Sequence, residues 1–208
     1  MSVAIETASV QRWMELFAEA MAEHRQELVR LDTAIGDGDH GTNMDRGMQK
    51  AVEKLRADPQ PDPGAVLKTV AMTLISTVGG AAGPLYGTLF LQLGGGLTDH
   101  PRGDIKSYAA AWRRALGAVA ARGKAQAGDK TMLDALIPAV DALEQAGDLD
   151  TGLRAAADAA CEGMLATTPL VARRGRASYL GERSAGHQDP GATSTQYLFQ
   201  SAAEALAG

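Results

Sequence analysis

The chain has 208 residues, of which 45% are hydrophobic and only 4% aromatic; residues 1–208 read as one large domain built from closely packed helices rather than from sheets rich in Val, Ile and Tyr. Twenty basic against twenty-five acidic residues leave a net charge of −5, which excludes a general nucleic-acid role. Glu6, Arg12, Glu15 and Glu19 break any signal-peptide core, and no stretch is long and apolar enough to span a membrane, so a cytoplasmic protein is expected.

Trp13, Phe17, Met21, His24, Leu28 and Leu31 recur at spacings of three and four, which predicts one long helix from about Ser9 to Val29, fraying towards Leu31, with His24 packed rather than ligating. A glycine-rich acidic stretch ends it. Met44, Met48, Ala51, Val52 and Leu55 carry a second helix, with Thr42 or Asn43 available as its cap. The run Asp58-Pro59-Gln60-Pro61-Asp62-Pro63-Gly64 breaks that helix; Asp62 can cap the next, and Pro63 suits its first position. Val66, Leu67, Val70, Ala71, Leu74, Ile75 and Val78 make this third helix broadly apolar and deeply buried.

Gly79 to Gly83 reads as a small-residue turn, followed by a short fourth helix from Leu85 to Leu93 that ends at Gly94-Gly95-Gly96. Asp104 can cap a fifth, carrying Ile105, Tyr108, Trp112, Leu116 and Val119 and stopping near Gly123. Asp129 or Thr131 starts a sixth, which Pro138 should kink by removing a backbone donor. Thr151 starts a seventh through Leu153, Cys161, Met164 and Leu165, with Cys161 a small buried hydrophobe. A long polar segment from Thr167 to Asp189 holds Arg173, Arg174, Arg176 and Arg183, and Tyr179 and Leu180 give it something to bury, so it reads as an ordered lid. An eighth helix closes the chain from about Ala192 to Leu206. The expectation is an all-α fold without internal repeats.

The chemistry concentrates in Leu31-Asp32-Thr33-Ala34-Ile35-Gly36-Asp37-Gly38-Asp39-His40-Gly41-Thr42-Asn43. Asp32, Asp37 and Asp39 repel one another unless a cation is present, and an oxygen-only donor set favours Mg²⁺ or Ca²⁺ over zinc. An EF-hand would need Asp or Asn at Gly41 and Glu at Met48. Gly36-x-Gly38-x-x-Gly41 matches the dinucleotide fingerprint only formally, because helix rather than strand precedes it. A solvated acidic turn between helices is the plain alternative. A helix start beside a hard cation is a place to hold phosphate. The chain has no Walker A pattern, so phosphate would be held through metal, with the lid arginines as candidate clamps.

The segment from Ala34 to Met44 resembles the signature of the nucleotide-binding subunit L family of dihydroxyacetone kinases. Gly79-Gly80-Ala81-Ala82-Gly83-Pro84-Leu85-Tyr86-Gly87-Thr88, Gly128-Asp129-Lys130-Thr131-Met132-Leu133-Asp134, and Arg174 to Ser184 followed by Gly186 to Ala192 resemble three further family motifs, in the expected order. Ala82 stands where the family often has Ser, so any hydroxyl contact to phosphate there is lost.

The resemblance implies an eight-helix antiparallel barrel with ADP or ATP at one end. It implies that Asp32, Asp37 and Asp39 bind two Mg²⁺ ions, and that His40, Gly41, Thr42 and Asn43 wrap the phosphates. Ala81 and Ala82 match the glycine-turn contacts, Gly123 and Met132 the adenine and ribose contacts, Arg176 the lid arginine, and Asp189, Pro190 and Gly191 the turn that closes the lid. The implied reaction, within glycerol metabolism, is phosphoryl transfer to dihydroxyacetone on a separate kinase subunit, with a phosphotransferase-system phosphohistidine protein as donor; no residue here is required as a nucleophile. An ATP-dependent split kinase, a kinase for another short ketose, a nucleotide-binding regulatory module and a fatty-acid kinase domain remain as alternatives.

Overall fold

The computed structural model describes residues 5–99 and 104–207. Among them are nine α-helices and one 3₁₀ segment, with no strand. The helices are α1 (Thr7–Glu23), α2 (Arg25–Ile35), α3 (His40–Ala57), α4 (Pro63–Thr77), α5 (Ala82–Asp99), α6 (Ile105–Gly123), α7 (Leu133–Gln145), α8 (Leu149–Ala166) and α9 (Pro190–Leu206). The 3₁₀ segment, Arg176–Ser184, lies between α8 and α9.

Helix packing closes into a ring. α1 packs on α3, α3 on α4, and so on in chain order to α8 on α9, while α9 returns to α1. This arrangement is compatible with an eight-helix barrel. α2 stands outside the cycle and leans on α3, α9 and the 3₁₀ segment at one end. Most of the few aromatics serve the interior: Trp13, Phe17, Phe90, Trp112 and Phe199 are completely buried. Trp112 stacks obliquely on Phe199 with ring centroids 4.6 Å apart, and Trp13 Nε1 donates to the Leu198 carbonyl at 3.0 Å. Rings reaching inward from α1, α5, α6 and α9 thus join the cycle in one core.

Local capping follows the chain's own chemistry at three helices. Asp62 accepts from the Ala65 N–H at 2.9 Å with Pro63 in the first turn, Asp104 from Ser107 at 2.9 Å, and Asp189 from Ala192 at 2.7 Å. Elsewhere the expected boundaries are corrected. The expected first helix is two, broken at His24, whose ring stacks on Tyr197 of α9 with centroids 4.2 Å apart. α5 runs through Gly94-Gly95-Gly96 to Asp99 because those glycines let helices touch: a Cβ on Gly94 would stand 2.9 Å from the Gly64 carbonyl oxygen, and one on Gly96 2.4 Å from Ala111 Cβ. Asp148, not Thr151, caps α8, accepting the Thr151 N–H at 2.9 Å. Ile75 and Leu165 are exposed at 45% and 55%, and Cys161 is only partly buried.

α7 continues through Pro138, which deprives the Asp134 carbonyl of its helical donor. Gly163 of α8 packs into that notch, where a Cβ would lie 2.1 Å from the Asp134 oxygen.

Candidate metal and phosphate site

Asp32 occupies the last turn of α2 and is almost buried. Its Oδ2 accepts the backbone N–H groups of Asp39 (2.8 Å) and His40 (3.0 Å). The carboxylate therefore folds the loop back on itself and satisfies the start of α3, so neither Thr42 nor Asn43 acts as the cap. The turn needs Gly38 at φ +74°, and Gly41 packs so closely on α2 that a Cβ there would stand 2.3 Å from the Arg25 carbonyl oxygen. One carboxylate oxygen from each of Asp32, Asp37 and Asp39 lies within 4.8 Å of the others. Partial burial, then the charge of Asp37, raises the Asp39 pKa above its ordinary value, while the Asn43 side chain and Arg176 pull it down.

These carboxylates form one wall of a cleft. Of the sequence-predicted residues, Asp32, Asp37, Asp39, His40, Asn43, Ala81, Ala82, Met132, Arg176, Asp189, Pro190 and Gly191 all line it. Gly123 lies in an adjoining, more apolar recess with Pro84, Val119, Ala125 and Leu133. Ala81, Leu85, Thr131, Met132, Arg174 and Gly175 border both spaces and make them continuous. Gly41 and Thr42 line neither: Gly41 is buried against α2 and Thr42 is exposed. His40 is pushed down to a pKa of about 4 by burial, and its Nε2 lies 2.9 Å from Ser194 Oγ. Ser194 is in turn 2.7 Å from the Tyr86 hydroxyl.

The 3₁₀ segment leans over the acidic loop. Arg176 Nη2 is 3.0 Å from Asp37 Oδ2. Tyr179, expected to be buried, is 89% exposed; Leu180 and Ala177 instead pack with Ile35 and Ala172. At the segment's base sits a residue whose role was not read from the sequence. Lys130, with φ +63° and 1% exposure, donates to the carbonyls of Thr167 (2.9 Å), Thr168 (3.4 Å), Leu170 (3.1 Å) and His187. Burial lowers its pKa, with Asp189 and Asp134 opposing. Asp189 is itself pushed up to about 7 by burial, although the Ala192 N–H favours its charged form. The Gly128-Asp129-Lys130 turn was visible in the sequence, but its carbonyl partners lie 37 to 57 positions away.

Comparison with known proteins gives a consistent result. The DAK2 domain model matches residues 34–204. The chain is 40% identical to the ADP-binding subunit DhaL of the PEP-dependent dihydroxyacetone kinase of Escherichia coli, covering 95% of this chain and 96% of that one. It is 44% identical to a Listeria innocua ADP-binding DhaL subunit, covering 90% and 91% respectively. The crystal structure of the dihydroxyacetone kinase of C. freundii in its native form superposes with a TM-score of 0.74 at 27% identity, covering 98% of this chain and 35% of that longer one. No helix among the described residues is long and apolar enough to cross a membrane. An all-helical ring with every one of its sequence motifs meeting at one cleft, matched over most of its length by the same family, leads to one assignment: the chain belongs to the DAK2 domain family.

Proposed function

We propose that this chain is the nucleotide-binding subunit of a dihydroxyacetone kinase, holding Mg-ADP or Mg-ATP and passing phosphate to dihydroxyacetone carried on a separate subunit. The observation that carries this reading is the meeting of three carboxylates, lid arginines and an apolar recess in one cleft. The relatives named ADP-binding subunits, which the chain matches over nearly their whole length, support it.

The donor set fits a hard cation: it is oxygen-only, and partial burial followed by the neighbouring charge of Asp37 raises Asp39. Asp32, Asp37 and Asp39 would hold two Mg²⁺, which supply charge neutralisation of the phosphates when bound. His40 and Asn43 face the diphosphate as neutral hydrogen-bonding groups, and the Gly79–Ala82 turn offers close backbone approach. Arg176 and Arg174 clamp phosphate from the lid side. The recess between Leu85, Val119, Gly123 and Met132 takes the adenine. Gly41 acts indirectly, by letting α3 begin against α2, and Thr42 is exposed in the first turn of α3. Asp189, Pro190 and Gly191 close the turn beneath the lid. Positioning and charge are the whole contribution, and no nucleophile is needed.

For the donor we favour a phosphohistidine protein, because the similar subunits are named PEP- or PTS-dependent. A cytoplasmic setting suits such partners. A second reading, a kinase subunit for a four-carbon ketose, is favoured by 38% identity to a Mycolicibacterium smegmatis D-erythrulose kinase, of which the chain covers 35%. A coupled assay tests both. This chain with ATP, Mg²⁺ and dihydroxyacetone should be silent. Adding a dihydroxyacetone-binding subunit with either ATP or a phosphohistidine donor should start turnover, and whichever donor works identifies the class. Turnover by the isolated chain overturns the split-subunit reading, and turnover only with erythrulose selects the second.

A further inference from the structure

The inner wall of the cleft depends on a residue that lies outside it. Arg46, on the exposed side of α3, directs Nη2 to two acceptors: Asn43 Oδ1 at 2.7 Å and the Thr77 carbonyl at 3.1 Å. A guanidinium only donates, so the Asn43 atom it grips must be the oxygen. The orientation of an amide is otherwise ambiguous; here the partner fixes it. Asn43 Nδ2 must then face the other way, into the cleft. There it lies beside Asp39, one helical turn back, and both residues line the cleft. The same nitrogen lies 3.7 Å from where a Cβ on Gly79 would stand, so it borders the glycine turn.

The second acceptor matters equally. Thr77 is the last residue of α4, where carbonyls have no helical partner and a cation is favoured. By bonding it, Arg46 ties α3 to the strand of chain that leads directly into Gly79 and Gly80. The next residue, Gly47, makes this approach possible: a Cβ there would collide with Val78 Cγ2 at 2.2 Å. Three neighbouring α3 positions, 43, 46 and 47, thus set the acidic loop and the glycine turn at a fixed separation.

We propose that Arg46 is a positioning residue for nucleotide binding: it locks the Asn43 amide with its N–H groups towards Asp39 and bound phosphate, and it anchors the glycine turn opposite. The proposal rests on the nucleotide reading above. If Arg46 were absent, the amide could flip and present its oxygen to a carboxylate and a polyphosphate, turning a donor into a repulsive acceptor.

The test is a double-mutant cycle read by calorimetric titration of Mg-ADP into the full chain. Arg46 is exposed and surrounded by solvent on one side, so Arg46→Met should fold, which its melting temperature checks. Arg46→Met and Asn43→Ala should each weaken Mg-ADP by about tenfold, the scale of one charge-assisted hydrogen bond. The double variant should be within about threefold of Asn43→Ala alone, and Arg46→Lys should recover part of the loss. Fully additive losses would overturn the proposal, because Arg46 would then act independently of Asn43. The Asn43 side-chain NH₂ signals, assigned by ¹⁵N labelling in the ligand-free protein, give an independent reading: they should shift in Arg46→Met, and unchanged signals would overturn the lock. A wild-type protein that does not bind Mg-ADP would refute the nucleotide reading, and the amide signals would still decide the positioning one.

Discussion

Arg176 reaches across from the 3₁₀ segment to place Nη2 3.0 Å from Asp37 Oδ2, so a lid arginine already pairs with one of the three clustered carboxylates. Both partners are substantially exposed, and the pair by itself is worth little to stability. Its consequence is competition. The guanidinium occupies a carboxylate that a cation would need, and the same guanidinium is the group best placed to grip phosphate.

Arg176→Gln should therefore have opposite effects on two ligands. Removing a competing cation should tighten Mn²⁺ binding to the nucleotide-free protein, read by the loss of free-ion electron paramagnetic resonance signal. It should weaken ADP, titrated in Mg²⁺, by about tenfold or more, as expected for a lost charge-assisted contact. Parallel changes in both would contradict the exchange of partners.

Asp37→Asn should abolish metal-dependent nucleotide binding and leave the helical circular dichroism unchanged. A nucleoside diphosphate brings roughly three negative charges to three carboxylates, a repulsion that only bound cations relieve. Titration of ADP with and without Mg²⁺ checks it; tight binding to wild type in chelator would remove the metal role.

Lys130→Met should loosen the lid before any ligand arrives. Four backbone carbonyls now share one buried ammonium, and a methionine would leave them without a donor. A loss of about 3 kcal/mol is expected, together with faster hydrogen exchange across residues 167–189. Slow exchange in the variant would mean that the hydrophobic contacts of Leu180 and Ala177 alone hold the segment.

Asp189 supplies a pH dependence. Its pKa, raised to about 7 by burial, exceeds that of an unfolded aspartate, so the folded state binds the proton more tightly. The stability it contributes is complete below the unfolded pKa near 4 and is lost as pH rises to about 7. Relative to Asp189→Asn, which keeps a capping oxygen and does not titrate, the wild-type melting temperature should fall across that window and run parallel above it. A constant difference would show that the carboxyl is ionised throughout.

Gly163→Ala should destabilise the packing of α8 on α7 by about 1–3 kcal/mol, because the new methyl would enter the notch at Asp134 and Pro138. Urea unfolding measures it, with Gly117→Ala, which meets no atom within 4 Å, as the control.

What the sequence determined by itself was what is decided within a few residues. Asp62, Asp104 and Asp189 each cap a helix by reaching an N–H three positions on, and that needs no other part of the chain. The clustering of Asp32, Asp37 and Asp39 was equally legible, since eight residues and two glycine turns confine them to one place. Contacts between distant segments were decided only in the tertiary structure. A triple glycine is locally a helix stop, yet α5 passes through it because Gly64 and Ala111 press against its surface. The hydrophobic stripe through His24 is continuous, yet the helix breaks there and the ring stacks on Tyr197, 173 positions away in sequence. Tyr179 and Leu180 are adjacent and both apolar in the sequence, but only Leu180 finds Ile35, Ala172 and Ala177. Lys130 reads as a surface charge until the fold brings four carbonyls around it. Capping energies depend on neighbours along the chain, whereas burial and long-range pairing depend on which faces the closed ring turns inward.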